Sequence, residues 1–304
     1  MATSAGRAGH PNEDFAGAVP HAAVLLDGAG IPGTESICCH GVAWYTHRLG
    51  GALLGRLSQD DGQDLVMILA DAIGEIADDH RGGCDIAHPS SPQATVLIVR
   101  THQGRLDHLV LADSFLVLAQ VGGDPQVITD EREVTAWRIC TEPLAGVPRG
   151  TPEYDRVRDS CIEALWARRN QPGGYWIAKD DPRAAEEAVT GSRSLHDVAG
   201  AALLSNGAGR IVNPYGLTDW RGLLELLGSA GPTDVIGRVR QAEAGLSAGP
   251  EAPVPDDATV AHWVWPSGSR TPPQGQEPLG DEYDGRAGRV AIPQAAGVSP
   301  RRTP

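Results

Sequence analysis

The chain has 304 residues, a formal net charge of −14 and a hydrophobic share of 41%. That length suits one large domain or two small ones, and the apolar share suffices for a full core. The acidic balance excludes a nucleic-acid backbone or an anionic membrane as the main partner, and no apolar run approaches the ~18 residues of a membrane span.

Taken in order, residues 1–10 are small and polar and are expected to form a loose arm. Ala22-Ala23-Val24-Leu25-Leu26 is an unbroken apolar run bounded by Asp27-Gly28, the pattern of a strand buried on both faces. Glu35 to Leu57 carries apolar residues at helical spacing, interrupted by Gly50-Gly51. Gln63 to His80 repeats that spacing through Leu65, Ile68, Leu69, Ala72, Ile73 and Ile76. The period then shortens. Residues 93–100, 106–113, 115–121 and 126–129 read as an antiparallel meander punctuated by Gln103-Gly104 and Gly122-Gly123-Asp124. Pro152 to Asn170 reads as a helix behind a Thr151 cap. Strand-like pieces follow at 175–178, 188–190 and 201–205, then helices at 208–213, 219–227 and 233–244, and a closing strand at 259–265. From Pro266 the composition turns to Pro, Gly, Ser, Arg and Glu, which cannot bury enough apolar surface to order itself. One domain over 1–265 and a disordered tail over 266–304 are therefore expected. The alternation of helix pairs and antiparallel strands predicts an α+β layered domain.

Cys38, Cys39, Cys84, Cys140 and Cys161 show no Cys-x-x-Cys spacing, so they are expected to be reduced thiols without zinc. The histidines, among them His40 and His80, share no spacing and are assigned to surface or core; the tryptophans, Trp137 included, are assigned to the core. With no signal peptide in the N-terminal residues, the protein is expected to be soluble and cytoplasmic.

A buried strand that ends on a carboxylate needs a metal, a hydrogen-bonded turn or water to offset a desolvation cost of several kcal/mol, by rough estimate. Gly28-Ala29-Gly30-Ile31-Pro32-Gly33 also fits the GxGxxG pattern of a dinucleotide site. Against it stand the Asp27 charge beside a would-be pyrophosphate, two consecutive helices where a parallel strand should follow, and no strand ending in an acid about 20 residues on. Hard divalent cations take carboxylate and carbonyl oxygens, and Asn12-Glu13-Asp14 upstream with Asp256-Asp257-Ala258-Thr259-Val260 downstream supply further acids.

These motifs, in order, resemble the metal-dependent type 2C (PPM) protein serine/threonine phosphatases in their actinobacterial form. Glu13-Asp14 looks like the first acidic motif, which holds metal waters, and Asp27-Gly28 like the metal-bridging Asp-Gly. Ala94-Thr95-Val96 looks like the strand motif opening the central sheet, Ala112-Asp113-Ser114 like the Gly-Asp-Ser motif of a third metal. Ser205-Asn206-Gly207 looks like Ser-Asp-Gly, and Asp256-Asp257-Ala258-Thr259-Val260 like the terminal motif. The resemblance implies a four-layer α-β-β-α sandwich of two antiparallel sheets flanked by helices. It also implies two Mn²⁺ or Mg²⁺ ions, with a place for a third, held by Asp27, Gly28, Asp256, Asn206, Asp113, Asp14 and Glu13. The implied activity is hydrolysis of phosphoserine or phosphothreonine in a phosphoprotein by a water lying between the metals, with Asp27 and Asp14 at the chemistry.

Four positions depart from that pattern. Asn206 stands where a ligand Asp is expected and brings an amide oxygen without charge. Gly9 stands where a phosphate-binding Arg often lies, leaving His10 or Arg7 to substitute. Ala29 replaces a His found in eukaryotic members, and Ala112 replaces Gly, a change expected to be mild. The alternative to a working enzyme is a lapsed phosphatase fold that binds a phosphoprotein or regulatory partner without turnover.

Overall fold

The run at residues 22–26 is apolar throughout because alternate side chains enter two different cores. Ala22, Val24 and Leu26 pack under a helical layer, while Ala23 and Leu25 point into the space between two sheets. The computed structural model describes residues 1–30, 37–80, 82–246 and 254–265; the expected tail and Gly33 lie outside the described residues.

The first half of the chain forms β1 (Ala2–Ser4), β2 (Phe15–Val19), β3 (Ala22–Leu26), β4 (Gly28–Ala29), α1 (Val42–Leu57) and α2 (Leu65–His80). The meander supplies β5 (Gln93–Ala94), β6 (Val96–His102), β7 (Arg105–Leu111), β8 (Phe115–Gln120) and β9 (Gln126–Ile128). Then come α3 (Arg132–Thr141), α4 (Pro152–Trp166), β10 (Val189–Ser194), β11 (Val198–Leu204), α5 (Asn206–Gly209), α6 (Trp220–Ser229), α7 (Pro232–Leu246) and β12 (Ala258–Val264). One sheet runs β1-β12-β11-β8-β9 and the other β10-β7-β6-β3-β2, with every pairing antiparallel.

Three apolar clusters define four layers. The α1 and α2 stripes cover one face of the β3-containing sheet. Leu97, Val99 and Val110 meet Leu116, Leu118 and Leu203 between the sheets. Leu223, Leu227, Val235, Ile236 and Val239 of α6 and α7 close the far face over Val117, Ala202 and Val260. The expected α-β-β-α sandwich is the observed fold. The same topology removes the dinucleotide reading, because β3 lies between β2 and β6 in an antiparallel sheet rather than opening a parallel βαβ unit.

Several elements differ from expectation. The N-terminal arm is a strand: β1 adds to the edge of β12, and the Thr3 and Thr259 hydroxyls lie 2.6 Å apart. Its polar residues hid it, since an edge strand of three residues needs no apolar alternation. Among the described residues, 175–178 form no strand of either sheet: Ala178 makes an isolated bridge to Ala94 and Tyr175 another to Arg169. Helix α3 was not expected, because it buries only Ala136 and Cys140 and so lacks a helical stripe. Its Val134, Trp137 and Ile139 are exposed, which corrects the assignment of Trp137 to the core. Gly50 within α1 is explained by Phe15, whose ring occupies the space a Cβ would take. Ala112 sits at φ 66°, a left-handed conformation where Gly is unstrained, so its replacement of Gly is not mild.

Gly6 follows β1, and a Cβ there would stand within 2.7 Å of the Asp256 backbone. Gly6→Ala should therefore lift the arm and cost about 1–3 kcal/mol, the range for an overpacked site. Hydrogen exchange checks this: faster exchange at Thr3 and Thr259 is expected, and unchanged protection there would contradict the assignment.

Candidate metal centre

The two sheets place their acids at one end. Asp14 precedes β2 and Asp27 follows β3, whose terminal residues Phe15 and Leu26 are paired. Asp113 lies where the chain crosses from β7 to β8, Asn206 follows β11, and Asp256 precedes β12. The Asp27 N–H donates to Thr95 Oγ1 at 3.2 Å and its carbonyl accepts from the Thr95 N–H at 2.9 Å. The Thr95 hydroxyl in turn lies 2.6 Å from that of Ser114, next to Asp113. Asn206 ties the two acids: its backbone N–H donates to Asp27 Oδ2 and its side-chain amide to Asp113 Oδ2, both at 2.8 Å.

The electrostatics show a site short of positive charge. Burial pushes the Asp27 carboxyl well above the usual carboxylate range, and Asp14, Asp256 and Asp113 push it further. Burial raises Asp14 to about 7, against the nearby hydroxyls of Thr259 and Ser205. Both Asp14 carboxylate oxygens are buried without a hydrogen-bond partner among the described residues. Asp113 is raised by burial, opposed by the Asn206 amide, and Asp256 is raised by burial, opposed by Arg210. Glu13 is raised by burial and Asp257, with Arg7 lowering it. Clustered, desolvated carboxylates of this kind are what a hard divalent cation neutralises.

Two glycines keep the backbone close enough for the cluster to form. A Cβ at Gly28 would collide with the Glu13 carbonyl oxygen and stand 2.7 Å from a Val42 methyl; one at Gly207 would collide with the Asp257 carbonyl oxygen. The residues present thus fit a divalent metal: orphaned carboxylate oxygens, an amide oxygen at Asn206, and a glycine carbonyl at position 28.

Of the residues expected at the site, Asp14, Asp27, Asp113, Asn206 and Asp256 come together, with Gly28 and Glu13 beside them. His10 is exposed on the loop before Asn12, and its backbone N–H donates to the Arg7 carbonyl. Asp257 has a different task, since its carboxylate accepts from the backbone N–H groups of Gly6 at 2.7 Å and Glu13 at 2.5 Å. Two groups were missed by the sequence reading. Arg210 pairs with Asp256 at 2.8 Å and with the buried Glu243 at 3.3 Å. Glu133, raised to about 8 by burial and then by Asp113, faces the cluster from α3. Neither lies in a motif, and only the fold brings them near.

No protein-family model matches the sequence, and no curated protein matches it. Solved structures do. The serine/threonine phosphatase PstP/Ppp of Mycobacterium tuberculosis is similar with a TM-score of 0.53 at 19% identity, covering 86% of this chain and 96% of that one. Stp1 from Staphylococcus aureus gives 0.52 at 16% identity, over 87% and 93%. The PPM Ser-Thr phosphatase MsPP from Mycobacterium smegmatis, in complex with cacodylate, gives 0.51 at 16%, over 86% and 96%. The PstP catalytic domain has also been seen with two manganese ions, in a structure similar at 0.52 and 20%. The chain therefore has the fold of the PPM serine/threonine phosphatases. The near-equal scores of PstP and Stp1 support that fold broadly and give no preference to an actinobacterial form.

Because the folded state holds a proton on Asp14 that the unfolded chain releases near pH ~4, this group makes the metal-free protein less stable as pH rises from about 4 to about 7, and Asp27, raised by burial, acts in the same direction. A cation replaces those protons. Mn²⁺ should accordingly raise Tm more at pH ~8 than at pH ~5.5, and Asp14→Asn should reduce the difference. A Tm gain that ignores pH, or that survives in Asp27→Ala, would count against this centre.

Proposed function

We propose that this chain is a metal-dependent phosphatase that hydrolyses phosphoserine and phosphothreonine monoesters in a phosphoprotein, with activity weakened by the amide at position 206. The observation that carries this reading is the convergence of the buried Asp14 with the partly buried Asp27, Asp113 and Asn206 and the half-exposed Asp256 at the end of both sheets. Mn²⁺ or Mg²⁺ at this spot supplies a water nucleophile at neutral pH and offsets charge developing on the phosphoryl group.

The chain's own residues prepare the site. The Asn206 N–H donates to the Asp27 carboxylate and fixes it; Asp27, the Gly28 carbonyl, Asp256, Asn206 and Asp113 are the groups that would hold the ions. Asp257 anchors the loop carrying Glu13 and Asp14, so these acids are held where they can orient bound water. Arg7, which acts electrostatically on Glu13, and His10 on the same loop are the groups available to a phosphoryl oxygen. The cytoplasm is the setting this reading expects.

One observation favours the lapsed reading, in which the fold binds a phosphorylated partner without turnover. Arg210 already neutralises Asp256, and the Asn206 amide already satisfies Asp113, so part of the cation's work is done internally. Turnover decides between them. With Mn²⁺, an aryl phosphate and a phosphothreonine peptide should both be hydrolysed, and Asp27→Ala should remove about two orders of magnitude or more of the rate. Asn206→Asp should raise Mn²⁺ affinity about tenfold, as added ligand charge does. Wild-type rates no higher than those of Asp27→Ala would establish the lapsed reading.

A further inference from the structure

The cysteines and histidines that lack any shared spacing in the sequence are brought together by the fold. Cys38 and His40 lie on the segment entering α1, and His80 and Cys84 lie at the end of α2. One ligand atom from each of the four lies within 4.8 Å of all the others. Cys84 Sγ is 3.4 Å from His40 Nδ1, and Cys38 Sγ is 3.9 Å from it. A tetrahedron with metal–sulfur bonds of about 2.3 Å and metal–nitrogen bonds of about 2.0–2.1 Å has edges of roughly 3.3–3.8 Å. Small side-chain rotations close the remaining gap.

His80 supplies the independent observation. Its Nδ1 lies 2.8 Å from the Ile76 carbonyl, which can only accept, so Nδ1 carries the proton. Its Nε2 therefore presents a lone pair, and that atom is buried with no partner among the described residues. A ring oriented by a backbone carbonyl, with the other nitrogen free, is the usual arrangement of a metal-ligating histidine. Burial also disfavours the imidazolium form. Trp44 packs against both imidazoles, stacked on His40 at 4.2 Å and edge-on to His80 at 4.9 Å, which fixes their planes.

We propose that Cys38, His40, His80 and Cys84 form a structural zinc site, separate from the acidic centre, that clips the segment before α1 to the end of α2. Four protein ligands leave no open position, so the ion holds structure rather than performing chemistry. The two segments already meet through the Asp85 N–H, which donates to the Ile37 carbonyl at 2.9 Å. The clip bears on the acidic centre through α1, because Val42 in its first turn packs against Gly28 and Gly30. The competing fate of the thiols is oxidation: Cys39 Sγ lies 3.8 Å from Cys84 Sγ, well beyond the ~2.05 Å of a disulfide.

The full-length protein, purified under reducing conditions and desalted, should carry about one zinc per chain by elemental analysis. Cys84→Ser and His80→Ala should lose it, whereas Cys140→Ser and Asp27→Ala should keep it. Cobalt added to zinc-free wild-type protein should give thiolate-to-metal charge-transfer absorption, a readout that the oxygen ligands of the acidic centre cannot produce and that needs no variant to fold. Cobalt binding without that absorption would overturn the proposal. So would Cys84→Ser protein that retains a full equivalent of zinc, or fully reduced wild-type protein that takes up no zinc when zinc is supplied.

Discussion

Like charges brought out of water at one point are the constraint on which this molecule turns. Burial raises the proton affinity of Asp14, Asp27, Asp113 and Asp256, and the Asp256 charge raises that of the other three further. Such a cluster persists only where the surrounding structure compels it. Here the compulsion comes from two sheets packed face to face, with the apolar residues of β3, β6, β8 and β11 locking the strand ends in place. The glycines at positions 28 and 207 then let backbones approach where any side chain would hold them apart. Fold and site are thus one problem: the core supplies the free energy that the acids oppose.

Within the cluster, the uncharged Asn206 and the cationic Arg210 act in the same direction. Asn206 removes a negative charge and donates hydrogen bonds to Asp27 and Asp113, while Arg210 places a guanidinium on Asp256. Both make the metal-free state easier to tolerate, and what stabilises that state narrows the advantage a cation gains by binding. Arg210 is itself required by Glu243, whose buried carboxylate also pairs with Arg240 at 2.7 Å. Its presence beside Asp256 therefore follows partly from packing between α5 and α7.

How much of this could be read from the chain depends on whether the signal was local. The buried β3 run, the α2 stripe and the Thr151 cap were legible, because each is set by neighbours in sequence; Thr151 Oγ1 accepts from the Tyr154 N–H at 3.1 Å as a cap should. The acids Asp14, Asp27, Asp113 and Asp256 were legible because each stands beside a strand with a recognisable motif. What stayed hidden was long-range. β1 is defined by its partner β12, α3 by a small buried edge, and Arg210 by a carboxylate 46 positions away. The Cys38, His40, His80 and Cys84 cluster was hidden for the same reason, since Cys-x-His and His-x-x-x-Cys become one set of ligands only when α1 and α2 lie side by side.

The Asp257 carboxylate, which receives the N–H groups of Gly6 and Glu13, joins the first strand and the last. During synthesis, Asp14 and Asp27 leave the ribosome more than two hundred residues before Asp256 does. Until that last segment arrives, the early acids lack both their fourth member and the staple that orders their loop, and β1 has no edge to join. In the final sheet β11 lies between β12 and β8, so one side of β11 is covered only by the last strand to be made. The acidic cluster is thus complete only once the last strand is in place, so a product truncated before Asp256 would lack one of its four carboxylates.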